Sequence, residues 1–94
     1  MKIRLKIEGL PQLYKILHKK KDIDVEFPGN TLRDFVNGLI KKYGPSVKNA
    51  ILDQYGEIDM ELRVAVNLTR FLSYGERMDI PLNDGDTLHL MTVG

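Results

Sequence analysis

The 94-residue sequence predicts an α+β domain, a mixed sheet packed across one long helix. Three observations predict it. The amino end alternates apolar and charged residues in two runs, as half-buried strands do. The middle carries one long apolar stripe at helical spacing, bounded by a cap and a Gly-Pro stop. The second half returns to short apolar runs broken by turn signals. A doubly wound sheet would need more regular strand–helix alternation than this.

The elements follow in order. Ile3, Leu5 and Ile7 alternate with Lys2, Arg4, Lys6 and Glu8, and Gly9 ends that strand. Leu10, Leu13, Tyr14 and Leu17 fall at i, i+3, i+4 and i+7, one or two helical turns inside a connection. Ile23, Val25 and Phe27 alternate with Asp22, Asp24 and Glu26 as a second strand, closed by Pro28-Gly29. Leu32, Phe35, Val36, Leu39, Ile40 and Tyr43 then form the stripe of the long helix. Asn30 or Thr31 caps it, Asp34 faces the positive end of its dipole, Lys41 and Lys42 occupy its last turn, and Gly44-Pro45 stops it. Ser46 to Leu52 predicts a short second helix, and residues 53–57 a turn.

Three apolar segments remain. Leu62 to Asn67 reads as a strand with Leu62, Val64 and Val66 inward. Arg70-Phe71-Leu72 and Met78 to Leu82 flank a polar loop containing Ser73-Tyr74-Gly75-Glu76. Asn83-Asp84-Gly85-Asp86 is a strong turn signal, and Thr87 to Thr92 is the last strand, with Leu88 and Leu90 inward. Strand, strand, long helix, short helix and two or three strands is the order of the β-grasp, or ubiquitin-like, fold.

Composition narrows function further. The length suits a single domain over residues 1–94. With 43% hydrophobic and 29% charged residues, the chain has the make-up of an ordinary soluble protein. No cysteine is present, so disulfides, thiolate nucleophiles and Cys-ligated zinc are excluded, in keeping with a cytoplasmic location. A net charge of +1 gives no global attraction to nucleic acid or membrane. No apolar run approaches the roughly 20 residues of a membrane span.

His18 and His89 stand far apart in sequence and suggest surface or packing roles, so no metal site is expected. Lys15, Lys19, Lys20 and Lys21 read as a solvated turn. Asp84 and Asp86 are explained by turn chemistry, since aspartate side chains bond neighbouring backbone there. No convergent nucleophile–base–orienter set is visible, which argues against a stand-alone enzyme.

The second half carries a family resemblance. Val66-Asn67-Leu68-Thr69, followed by Pro81-Leu82-Asn83-Asp84-Gly85-Asp86 and a final strand, resembles the MoaD/ThiS sulfur carriers. The acidic turn at residues 53–57 and the second short helix are closer to the MoaD branch. The resemblance implies a β-grasp carrier that binds no cofactor itself. An E1-like partner would spend ATP to adenylate the terminal glycine carboxylate, which then becomes a thiocarboxylate. In the MoaD branch the tail enters the large subunit of molybdopterin synthase, where the carrier is the non-catalytic small subunit. Here the implied acceptor of adenylate and sulfur is Gly94, with Thr92 and Val93 as the tail.

The end of the chain departs from the family pattern. Val93-Gly94 stands where those carriers have Gly-Gly, and the three residues after Met91 extend only about 10 Å. Two other readings are a β-grasp binding module without tail chemistry and a carrier for thiamine or another pathway.

Alternation also predicts a docking face. Lys2, Arg4 and Lys6 fall on the sheet face away from the helix, as do Arg63, Ala65 and Asn67, and Thr87, His89 and Met91. Related carriers present a more apolar surface there, and Glu8, Arg70 and Met91 occupy its approximate equivalents. The expected partner contacts are Arg4, Lys6, Arg63, Arg70, His89 and Met91, meeting an acidic surface with Met91 as the adaptable apolar contact.

Overall fold

The alternating amino end pairs on both sides, which is why both of its faces carry information. In the structure, a computed structural model describing residues 1–71 and 78–92, strand β1 (Lys2–Glu8) pairs antiparallel with β2 (Asp22–Glu26) and parallel with β5 (Thr87–Thr92). Strand β5 also pairs antiparallel with β3 (Leu62–Val66), and β3 pairs with the two-residue β4 (Arg70–Phe71). The order across the described sheet is β2-β1-β5-β3-β4, so the last strand lies at its centre.

One face of the sheet packs on three helices, α1 (Pro11–Ile16), α2 (Leu32–Tyr43) and α3 (Ser46–Ile51). Ile3, Leu5, Val25, Val64, Leu88 and Leu90 point inward and meet Leu32, Phe35, Val36 and Leu39 of α2 in one buried cluster. The Phe27 and Phe35 rings meet edge to face, centroids 5.6 Å apart. Ile40, expected in the core, is half-buried at its margin.

Helix α2 begins where a capping box forms. The Thr31 hydroxyl accepts from the Asp34 N–H at 3.2 Å, and Asp34 Oδ2 accepts from the Thr31 N–H at 3.2 Å and the Asn30 N–H at 3.0 Å. Bonds from Asn30, then from the Thr31 hydroxyl and amide, hold the Asp34 carboxyl below the usual carboxylate range. Gly44 ends the helix at a φ of 97°, conformational space that favours glycine.

Met78 to Leu82 buries every second side chain but is no strand. The segment runs past the amino end of α2, where the Leu32 and Arg33 N–H groups donate to the carbonyls of Ile80 and Met78 at 3.0 and 2.9 Å. A helix start leaves such donors without intrahelical partners, and this apolar run supplies acceptors while burying Met78, Ile80 and Leu82. The expected loop at Ser73-Tyr74-Gly75-Glu76, with Leu72, lies outside the described residues.

Candidate functional site: the end of the central strand and the outer sheet face

The residues that carry the family resemblance turn out to be structural. Asn67 leaves β3 with a φ of 54°, where its side chain ties β3 to the last turn. Its Oδ1 accepts from the Thr87 N–H at 2.8 Å and its Nδ2 donates to Asp86 Oδ1 at 3.0 Å. Asp86 Oδ2 accepts from the Asn83 N–H at 2.9 Å, and Asp84 Oδ1 accepts from the Lys2 N–H at 2.7 Å. Gly85 adopts a φ of 89° in that turn. These bonds fix where β5 begins, between β1 and β3, and therefore where it ends.

It ends at Thr92, opposite Leu62. Thr92, expected in the tail, is held in β5 as its last paired residue; Val93, expected beside it in the tail, and Gly94, the expected reacting residue, lie outside the described residues. Among the described residues, two hollows border the end of β5 and a third lies nearby, beside the end of β1. The largest, about 790 Å³, lies on the helix side and is bordered by Thr92 itself, with Leu10, Ala50, Met60 and Leu62 among its walls. A smaller one, about 340 Å³, lies between Glu8, His89 and Met91 on the opposite face. The third, of similar size, adjoins Gly9 and Tyr14.

The outer face gathers most of the expected contact residues. Register places Lys6 beside His89 and His89 beside Ala65, while Met91 sits between Glu8 and Arg63. Arg4 neighbours Thr87. Arg70 is not brought to this row: it pairs with Val66, whose side chain is inward, and Phe71 takes the outward position beside Ala65. Phe71 is 57% exposed, whereas Ala65 beneath its neighbours is fully buried. Composition flagged Phe71 only as an apolar residue; its face needed the β3–β4 register.

Charge on this face also differs from the expectation of an uncompensated basic surface. Strand β2 brings Asp22 and Asp24 opposite Lys6 and Arg4. Arg4 lies 3.2 Å from Asp22 and 3.3 Å from Asp24, and Lys2 and Lys6 each reach a carboxylate at 4.0 Å. These groups are half-exposed, so each pair contributes at most about 1 kcal/mol, but together they cancel the field. What remains toward β3 is Arg63, with no ion-pair partner among the described residues, beside Met91, His89 and Phe71.

His18 lies on the helical layer, its ring 5.9 Å from that of Tyr43, while His89 is on the outer face. No group of three potential metal ligands occurs among the described residues. No helix among them is long and apolar enough to cross a membrane.

No family model matches the chain, and no curated protein matches it in sequence. Solved structures match it along its whole length. CysO in the crystal structure of its complex with BexX from Amycolatopsis orientalis superposes with a TM-score of 0.78 at 16% identity, covering 98% of this chain and 96% of that one. SAMP1 from Haloferax volcanii gives 0.75 at 17% identity, over 100% and 97%. A Pyrococcus furiosus protein assigned as molybdopterin converting factor subunit 1 gives 0.70 at 21% identity, over 100% and 99%.

The fold is the ubiquitin-like β-grasp.

In this β-grasp Met91 turns to the outer face and Thr92 to the groove on the helix side, so the strand end lies between the outer row of His89, Met91, Arg63 and Phe71 and a largely apolar hollow.

Proposed function

We propose that this chain is a sulfur carrier of the MoaD/ThiS type, with Gly94 as the carboxylate that is activated. The observation that carries the reading is the placement of the strand leading to Gly94. Strand β5 is held on both sides, by β1 and β3, and its start is locked by Asn67, Asp84 and Asp86. A tail leaving such a strand is presented from a rigid base, which lowers the ordering cost when a partner takes it. The fold shared with CysO, SAMP1 and the converting-factor subunit supports the reading, and CysO in its complex with BexX is an example of such a fold seated on a partner protein.

The chemistry divides between carrier and partner. An E1-like enzyme aligns ATP so that a Gly94 carboxylate oxygen attacks the α-phosphorus and pyrophosphate leaves. Hydrosulfide-level sulfur then attacks the acyl carbon and AMP leaves, giving the thiocarboxylate. Glycine suits this position because it has no Cβ to obstruct a narrow cleft. The docking surface on the carrier is the outer strip of Phe71, His89, Met91 and Arg63, with Arg4 and Lys6 at its ion-paired margin. The acceptor is the pterin precursor held by the molybdopterin synthase large subunit, in line with the MoaD-like features of the sequence.

The test is mass spectrometry of the carrier after incubation with an E1-like enzyme, ATP and a sulfur donor. An oxygen-to-sulfur exchange is expected, and it should be lost or strongly reduced in Gly94→Ala. Undiminished thiocarboxylate in that variant removes Gly94 from the mechanism. Thiocarboxylate without pterin conversion on the large subunit moves the carrier to another pathway.

A further inference from the structure

The groove beside Thr92 has the chemistry of a docking pocket that the sheet face does not supply. Its walls come from three separate elements: Leu10 and Leu13 at the start of α1, Ala50 on α3, and Met60 and Leu62 at the entry to β3. Gly9 shapes its edge. At a φ of +70° its bare backbone lies against Thr92, whose Oγ1 would stand 2.8 Å from any Cβ placed there. Met60 is 68% exposed although it borders an apolar hollow. An exposed methionine at such a rim is an adaptable contact, because its unbranched side chain repacks around different shapes. A volume of about 790 Å³ lies within the range of clefts that hold small ligands, room for a bulky side chain together with its neighbours.

Distance determines the occupant. Gly94 is two residues beyond Thr92, at most about 7 Å of extended chain. A protein that closes around the Gly94 carboxylate therefore covers the strand end, and the groove rim with it. An acyl adenylate is also hydrolysed by water, so the enzyme that makes it gains from burying apolar surface next to the tail.

We propose that this groove receives an apolar side chain, aliphatic or aromatic, from the adenylating enzyme, as an anchor separate from the outer sheet face. The inference rests on Gly94 being the activated residue. The anchor holds the base of the tail while the carboxylate is in the enzyme's site. It contributes to carrier affinity and not to the chemical step.

The experiment measures ATP–pyrophosphate exchange by the cognate adenylating enzyme as a function of carrier concentration. Two variants are compared with the wild type: Met60→Asp at the exposed rim and Ala50→Arg, which fills the groove. Far-UV circular dichroism and the thermal midpoint establish that each is folded. The carrier KM is expected to rise about tenfold or more in each. The rate at saturating carrier should stay within about twofold of wild type, the signature of lost uniform binding. Should Ala50→Arg fail to fold, Met60→Asp decides alone, since its side chain is largely outside the core. A wild-type KM in Met60→Asp, or a lowered saturating rate with KM unchanged, overturns the anchor and leaves the Gly94 reading in place. Wild-type carrier that supports no exchange overturns both.

Discussion

Replacing Gly38 by alanine should destabilise this domain, against the usual effect of that change in a helix. Gly38 lies inside α2, where glycine-to-alanine at an unobstructed site gains about 1 kcal/mol from propensity. Here the added Cβ would stand 2.6 Å from Phe27 Cβ and 3.3 Å from Phe27 Cγ, contacts that require something to shift. Phe27 is badly placed to yield. Its N–H donates to the Met1 carbonyl at 3.0 Å, its carbonyl accepts from the Met1 amine at 3.0 Å, and its ring packs on Phe35. Overpacking a tight site costs about 1–3 kcal/mol. Subtracting the propensity gain leaves a net loss of about 1 kcal/mol, a fall of roughly 4–8 °C in Tm for a domain of this size. Urea and thermal unfolding by circular dichroism measure it, with Asn37→Ala as the control. Asn37 is exposed on the same helix, so that change should be neutral or gain a few tenths of a kcal/mol. If Gly38→Ala stabilises by about 1 kcal/mol, helix propensity alone governs the site and the close approach of α2 to Phe27 is wrong.

Phe35→Ala should cost about 3–5 kcal/mol, because the ring is buried and edge-packed on Phe27; a loss below about 1 kcal/mol in denaturant unfolding would place the helix stripe outside the core. Asp34→Asn should destabilise most above pH 4 or so. The carboxyl is held below its ordinary range in the folded state, so its contribution is present above the unfolded value of about 3.9 and lost as pH falls through the folded one. The Tm gap between wild type and Asp34→Asn should therefore narrow on acidification, and a constant gap would show that Asp34 acts through shape alone. On the outer face, Phe71→Asp should weaken binding to the cognate partner about tenfold or more with little change in Tm, since the ring is exposed. Wild-type affinity in that variant places the interface away from β4.

Local signals made the long helix legible because every one of them agreed. The stripe, a cap at Asn30 or Thr31, the lysines of the last turn and Gly44-Pro45 all predict Leu32–Tyr43, which is the observed span, with Thr31 as the cap. Strands β1, β2, β3 and β5 were legible for a similar reason, since alternation alone states which side chains go inward. Met78–Leu82 was less so. Its apolar content is equally strong, but its backbone partners are the free N–H groups of α2, and no local pattern announces a pairing with a helix end. Gly38 carried no signal either. Its meaning depends on Phe27, eleven residues earlier and just past the end of β2.

The docking face shows where reading strand by strand reaches its limit. Alternation correctly puts Lys2, Arg4 and Lys6 on one side, and Asp22, Asp24 and Glu26 alternate just as regularly along the next strand. Nothing within either run says that the two rows share a face; the antiparallel register of β1 with β2 does. Once they share it, the positive row becomes a ladder of screened ion pairs, and the argument for an acidic partner loses its main support. If the proposed docking is on this face, specificity comes from its other half, where register sets Phe71, His89, Met91 and Arg63, which has no ion-pair partner among the described residues, next to the strand that leads to Gly94. That arrangement favours binding in which apolar contact supplies the affinity and a single cation the orientation. Raising salt should therefore weaken partner binding only slightly, whereas a basic patch of three or four free charges would make it fall steeply.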